Sequence, residues 1–167
     1  VASAGNDNTN DPVFPGSYPA GFADPVAYPD LYQGVIAVAA HSFNHCKASF
    51  SNYGTWVSIS APGDNIFSTL PTYMFTNGGF EWWSGTSMAA PHVSGAAALA
   101  WARNTGAVNS QIRSQVVNQN SSPLNTLVRG NTSWPNERSN FERDDDFHIL
   151  ETQYNKVCDN KGGIWGY

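Results

Sequence analysis

Val35-Ile36-Ala37-Val38-Ala39-Ala40 is an unbroken apolar run of strand length, the pattern of a strand buried on both faces. Val57-Ser58-Ile59-Ser60 alternates as a strand does and stops at Ala61-Pro62-Gly63, a turn signal. Val1-Ala2-Ser3-Ala4 reads as the end of another buried strand running into a turn at Gly5-Asn6. Ile66 to Leu70 and Gly79 to Trp83 pair as a hairpin around the segment between them. From Ser87 to about Arg103 the pattern is helical, with Ala89, Ala90 and the run Ala96 to Ala100 as strong helix formers. Pro91 is tolerated only near a helix start, which fixes that start close to Ser87. Gly95 costs about 1 kcal/mol relative to Ala and so points to close contact with another backbone. Apolar residues surround this helix almost completely, which predicts that it is buried. A second, shorter helix is predicted from Ser110 to about Val117, with Asn109 as its N-cap.

Composition narrows the class. Charged residues make up 13% of 167, about half the usual share, and hydrophobic residues 41%. A net charge of -5 with no Lys/Arg stripe excludes a phosphate-neutralising surface, and so argues against nucleic acid and anionic membranes as partners. No stretch reaches the length of a membrane span. No repeat is visible, but the character changes after about Pro123. Residues 1–123 read as part of one domain, and residues 124–167, with the run Asp144-Asp145-Asp146 and little periodicity, as a loop-rich insertion or extension. Both ends stop inside patterns that lead into further elements, and are read as truncations. Cys46 and Cys158 form either one disulfide or two buried thiols.

The chemistry concentrates in Gly85-Thr86-Ser87-Met88-Ala89-Ala90-Pro91-His92-Val93-Ser94-Gly95. A nucleophilic serine needs an exposed hydroxyl, room for a carbonyl and donors for the developing oxyanion. A Gly-Thr-Ser turn opening a helix supplies these, because Gly85 allows close approach and the Ser87 N–H lies among the free donors of the helix start. Taken alone, Gly-Thr-Ser is more readily an ordinary helix cap, and Asn6 an Asx-turn residue. His92 is a poor base for Ser87: five positions on a helix separate them by about 7.5 Å of rise, which reads as a packed helix histidine. His41, His45 and Cys46 form no recognisable zinc spacing.

The eleven-residue segment resembles the active-site serine motif of the subtilisin-like serine proteases. Ser3-Ala4-Gly5-Asn6 is similar to the family segment that carries the oxyanion-hole asparagine, and Tyr28-Pro29, Ala48 to Gly54, Ala61-Pro62-Gly63 and Ser68-Thr69 recur in family order. The resemblance implies a subtilisin-like three-layer α/β/α sandwich with a mostly parallel sheet, present here as its C-terminal half. It implies a secreted serine endopeptidase that cleaves protein or peptide substrates through an acyl-enzyme on Ser87, with Asn6 as oxyanion donor and no cofactor. Ser3, Ala4, Gly5, Ala27, Gly85 and Thr86 are the implied substrate-binding positions.

The Asp-Ser/Thr-Gly and His-Gly-Thr-His contexts of the other two triad members stand earlier in the family's order and are not in this sequence. The missing N-terminal half of the domain is thus an expected partner, and the fragment alone is expected to be inactive and marginally stable. Structural calcium is a family feature, but Ser42 occupies the position where one recurrent site has an acidic residue. Two alternatives keep the motif: a sedolisin-type acid protease, which would carry Asp in place of Asn6, and an inactive, subtilase-shaped binding module. No acidic residue stands among the implied pocket positions, so the pocket before the scissile bond should favour apolar or aromatic side chains. A peptide-library scan of the complete protein checks this; strict cleavage after Lys or Arg would contradict it.

Overall fold

The computed structural model describes residues 1–13, 17–42, 47–71, 73 and 79–117, together with the backbone of four short strands beyond residue 139. Strands β1 (Ala2–Ser3), β2 (Ala37–His41) and β3 (Ile59–Pro62) form a parallel sheet in that order. Ala2 pairs with Ala37, and Val38 with Ile59. The apolar run at 35–40 is therefore the central strand, as its pattern predicts. β3 begins two residues later than the Val57 start expected from alternation.

The period of two in these strands feeds two cores. Val38, Ala40, Ile59 and Ala61 point to one face, where Ala89, Val93 and Ala100 of helix α1 (Thr86–Arg103) and Ile112 and Val116 of helix α2 (Asn109–Val117) cover them. Ala2, Ala4, Ala37 and Ala39 point to the other face, where Trp56, Val57 and the 3-10 turn Ala20–Ala23 close over them. Among the described residues both α-helices lie on one face of the sheet. The hairpin forms where expected, with β4 (Ile66–Thr69) antiparallel to β5 (Phe80–Trp83).

Three helical expectations need correction. α1 is buried along one stripe only; Leu99 and Trp101 stand about half exposed on its outer side. The small alanines that make the helix look apolar all round carry little burial of their own. Gly95 lies on that open side, and among the described residues a Cβ added there would meet nothing within 4 Å. It marks no close backbone approach. In α2, Val108 holds the cap position rather than Asn109: its carbonyl accepts from Gln111 and Ile112, and the Gln111 side chain reaches back to its N–H at 3.0 Å. That is the return half of a capping box.

Part of the segment expected to be loop is extended. β6 (Asn140–Asp144) pairs with β7 (Phe147–Glu151), and β8 (Val157–Cys158) with β9 (Ile164–Trp165), both antiparallel. Cys46, His45 and Asp145-Asp146 lie outside the described residues, and the disulfide question with them.

Gly63 connects the sheet to the start of α1. Its N–H donates to the His41 carbonyl at the end of β2, and its carbonyl accepts from the Gly85 N–H at 2.7 Å. A Cβ at Gly63 would stand 2.6 Å from Ala40 Cβ, 2.9 Å from the Gly85 oxygen and 3.0 Å from Ala89 Cβ. Two of these three neighbours belong to the segment that carries Ser87. Gly63→Ala is expected to push that segment off the sheet, lowering stability in urea unfolding of the complete protein by about 2 kcal/mol, the usual size of an overpacking penalty.

Candidate active site

The sequence places Ser87 as the second residue of α1, and the structure leaves its side chain exposed there. Its N–H has no intrahelical acceptor, as for every residue of a first turn. Pro91, in the second turn, has no N–H to offer the Ser87 carbonyl.

Thr86 is wholly buried and serves as a clamp. Its N–H and hydroxyl both donate to Asn6 Oδ1, at 2.9 and 3.0 Å, and its hydroxyl oxygen accepts from the Gly5 N–H at 3.1 Å. These bonds fix the amide of Asn6 with its oxygen inward. Its nitrogen then faces Gly85: a Cβ added there would lie 3.5 Å from Asn6 Nδ2 and 3.8 Å from the Ser87 nitrogen. Two donors thus flank a space that any side chain at position 85 would occupy. Hydrogen-bond donors converging on an open space beside a hydroxyl are what an oxyanion requires.

The loop that carries Asn6 is held from behind. Asn52, with no exposed surface, accepts from the N–H groups of Asp7 and Thr9 and donates to the Ala4 carbonyl and to Ser17. Neither Asn52 nor the clamp role of Thr86 could be singled out from sequence, since both depend on partners tens of residues away. Ser3 and Gly5 are half-buried and Ala4 fully buried at the end of β1. Ala27 is exposed in the loop beyond the 3-10 turn, its N–H bonded to Asp24 Oδ1.

His92 is exposed rather than packed, and its Nδ1 pairs with the Met88 carbonyl one turn back, at 2.9 Å. It makes no bond to Ser87. Ser42 is buried with its hydroxyl unpartnered among the described residues. No group of three His, Cys, Asp or Glu side chains converges among the described residues. No described helix is long and apolar enough to cross a membrane.

The parallel α/β sheet presents a serine at a helix start, with the Asn6 amide held close by through Thr86. Residues 1–148 match the model of the subtilase family, Peptidase S8, and the chain belongs to that family. It is 48% identical over 99 residues to a thermostable alkaline protease of Halalkalibacterium halodurans, covering 59% of this chain and 26% of that protein. It is 43% identical over 110 residues to subtilisin BL of Lederbergia lenta, covering 65% of this chain and 38% of the relative. A crystal structure of a cold adapted subtilisin-like serine proteinase superposes with a TM-score of 0.56 at 30% identity, over 77% of this chain and 40% of that one. The fold is therefore subtilisin-like α/β, and the chain spans well under half the length of these relatives.

One cation braces the loop from its outer side. Lys47 Nζ donates to Asn8 Oδ1 at 2.7 Å and to the Ser51 and Ala48 carbonyls at 3.1 and 3.2 Å, and it lies 5.1 Å from the centre of the Tyr53 ring. Burial without a carboxylate partner lowers its pKa below the usual lysine value. Between the folded and unfolded values the unfolded chain holds more protons, so this group makes stability rise with pH across that alkaline window. Urea midpoints of the complete protein measured through the window should show the rise, and Lys47→Met should flatten it.

Proposed function

We propose that this chain carries the nucleophile and the oxyanion donors of a secreted serine endopeptidase that hydrolyses peptide bonds through an acyl-enzyme on Ser87. One observation carries the reading. Thr86 captures the Asn6 amide oxygen and so leaves Asn6 Nδ2 and the Ser87 N–H side by side at Gly85. In the reaction the Ser87 oxygen bonds to the substrate carbonyl carbon as its proton passes to a base. The carbonyl oxygen becomes an oxyanion between the two donors. Collapse expels the amine, which takes the proton back, and water then releases the acyl group by the same route.

His92 is turned to its own helix and does not serve as that base. The imidazole base and its orienting carboxylate belong, in this proposal, to the portion of the relatives' length that this chain does not span. Secretion is inferred from the family and the low surface charge. Acyl transfer through a serine calls for no cofactor, and calcium enters only as a structural ion of the complete protein.

The test uses the complete protease. A fluorophosphonate should label Ser87 and fail to label Ser87→Ala. Asn6→Ala should lower kcat by about 10²–10³ with KM changed by less than about threefold, a span already measured for the oxyanion asparagine of a subtilisin rather than deduced from this geometry. An unlabelled Ser87 in the folded complete protein would overturn the reading and leave a binding module of subtilase shape.

A further inference from the structure

A groove of about 440 Å³ separates the β4–β5 hairpin from the first turns of α1, and Ser87 forms part of its wall. Residues from both faces of the hairpin border it, Phe67 and Thr69 among them. Ile66 lies opposite Trp83 and Ser68 opposite Glu81, so these four share one face of the hairpin. Phe67, Phe80 and Trp82 occupy the other face, where their rings cluster with centroids 4.9 to 5.6 Å apart. Met88, Pro91 and the imidazole-bearing His92 of α1 border the groove opposite the hairpin.

Among the described residues Glu81 is the one carboxylate in this mostly apolar wall. It is half-buried, and its contact is with the adjacent backbone, where Oε1 accepts from the Trp82 N–H at 3.2 Å. Among the described residues no lysine or arginine pairs with it. Lys47 is engaged by the Asn8 loop, and Arg113 by Val35, Ser58 and the Tyr32 ring. An uncompensated carboxylate between low-dielectric walls attracts a cation more strongly than one on an open surface. A lysine or arginine side chain suits such a groove, its aliphatic stem along Trp83 and Met88 and its charged end at Glu81. Ser3, Ala4 and Gly5, the positions that the resemblance implies for the side chain before the scissile bond, do not line it, and the groove is taken as the leaving-group side of Ser87.

We infer that Glu81 selects substrates with a lysine or arginine directly after the scissile bond. The inference rests on the reading of Ser87 as nucleophile, and the experiment separates the two. Fluorogenic peptides identical except for Lys, Gln or Glu at that position are given to the complete protease, while fluorophosphonate labelling of Ser87 reports the nucleophile independently. The expected kcat/KM is about tenfold higher for Lys than for Glu, shrinking at high salt. Glu81→Gln should remove most of this ratio and Glu81→Lys should invert it. An unchanged ratio in Glu81→Gln, or no preference in the wild type, overturns the inference even where Ser87 is labelled. If Ser87 proves unreactive, the same peptides are titrated against tryptophan fluorescence. Saturable binding of the Lys peptide that weakens in Glu81→Gln sustains the groove's preference, and equal response to all three peptides ends it.

Discussion

Thr86 and Asn6 stand eighty positions apart in the chain, yet three hydrogen bonds around the Thr86 N–H and hydroxyl close the end of β1 against the start of α1. The remaining parts of the site depend on this clasp. It orients the Asn6 amide, because an oxygen held by two donors leaves the nitrogen only one direction to face. It also fixes the first turn of α1 relative to the sheet, so that the Ser87 N–H and Asn6 Nδ2 address the same space. The clasp is itself dry: Thr86 has no exposed surface. In such surroundings a missing partner costs the full desolvation of the group left behind, which makes a half-formed clasp unfavourable.

The clasp is positioned by two supports that share no residues. From the sheet, Gly63 passes its hydrogen bonds from the His41 carbonyl to the Gly85 N–H, and only a residue without a side chain fits between Ala40 and Ala89. From the loop side, the Asn52 side chain accepts from the Asp7 and Thr9 N–H groups and donates to the Ala4 carbonyl of an irregular segment. A buried asparagine with its bonding groups satisfied is costly to replace but rigid, and rigidity is what an oxyanion donor requires: dipoles already in place need no reorganisation as charge develops.

The central strand, the hairpin and the start of α1 were legible in the sequence because each is a local pattern: an apolar run, two flanking strands, a Gly-Thr-Ser turn before alanines. The family resemblance was legible for the same reason, in a contiguous segment. The open face of α1 was not. Alanine counts as apolar in any periodicity, yet Leu99 and Trp101 decide how that face meets solvent. Gly95 misled in the same way, since a helical glycine carries no sign of whether a neighbour is near. Asn52, Lys47 and Thr86 acquire their roles from partners brought together by folding, and an isolated polar residue in a turn-rich stretch gives no notice of them. Glu81 became interpretable only when the register put it on the same face as Trp83.

The long separation within the clasp also bears on when the site comes into being. Closing a loop of eighty residues carries a chain-entropy penalty that local helix or hairpin contacts do not meet, and parallel strands joined by long crossovers add to it. During synthesis Asn6 emerges eighty residues before Thr86. The hairpin can form as soon as its own strands are present, but the Asn6 amide meets the start of α1 only after β1, β2, β3 and α1 have docked. Ser87 therefore gains the Asn6 amide as a neighbour only at a late stage of assembly.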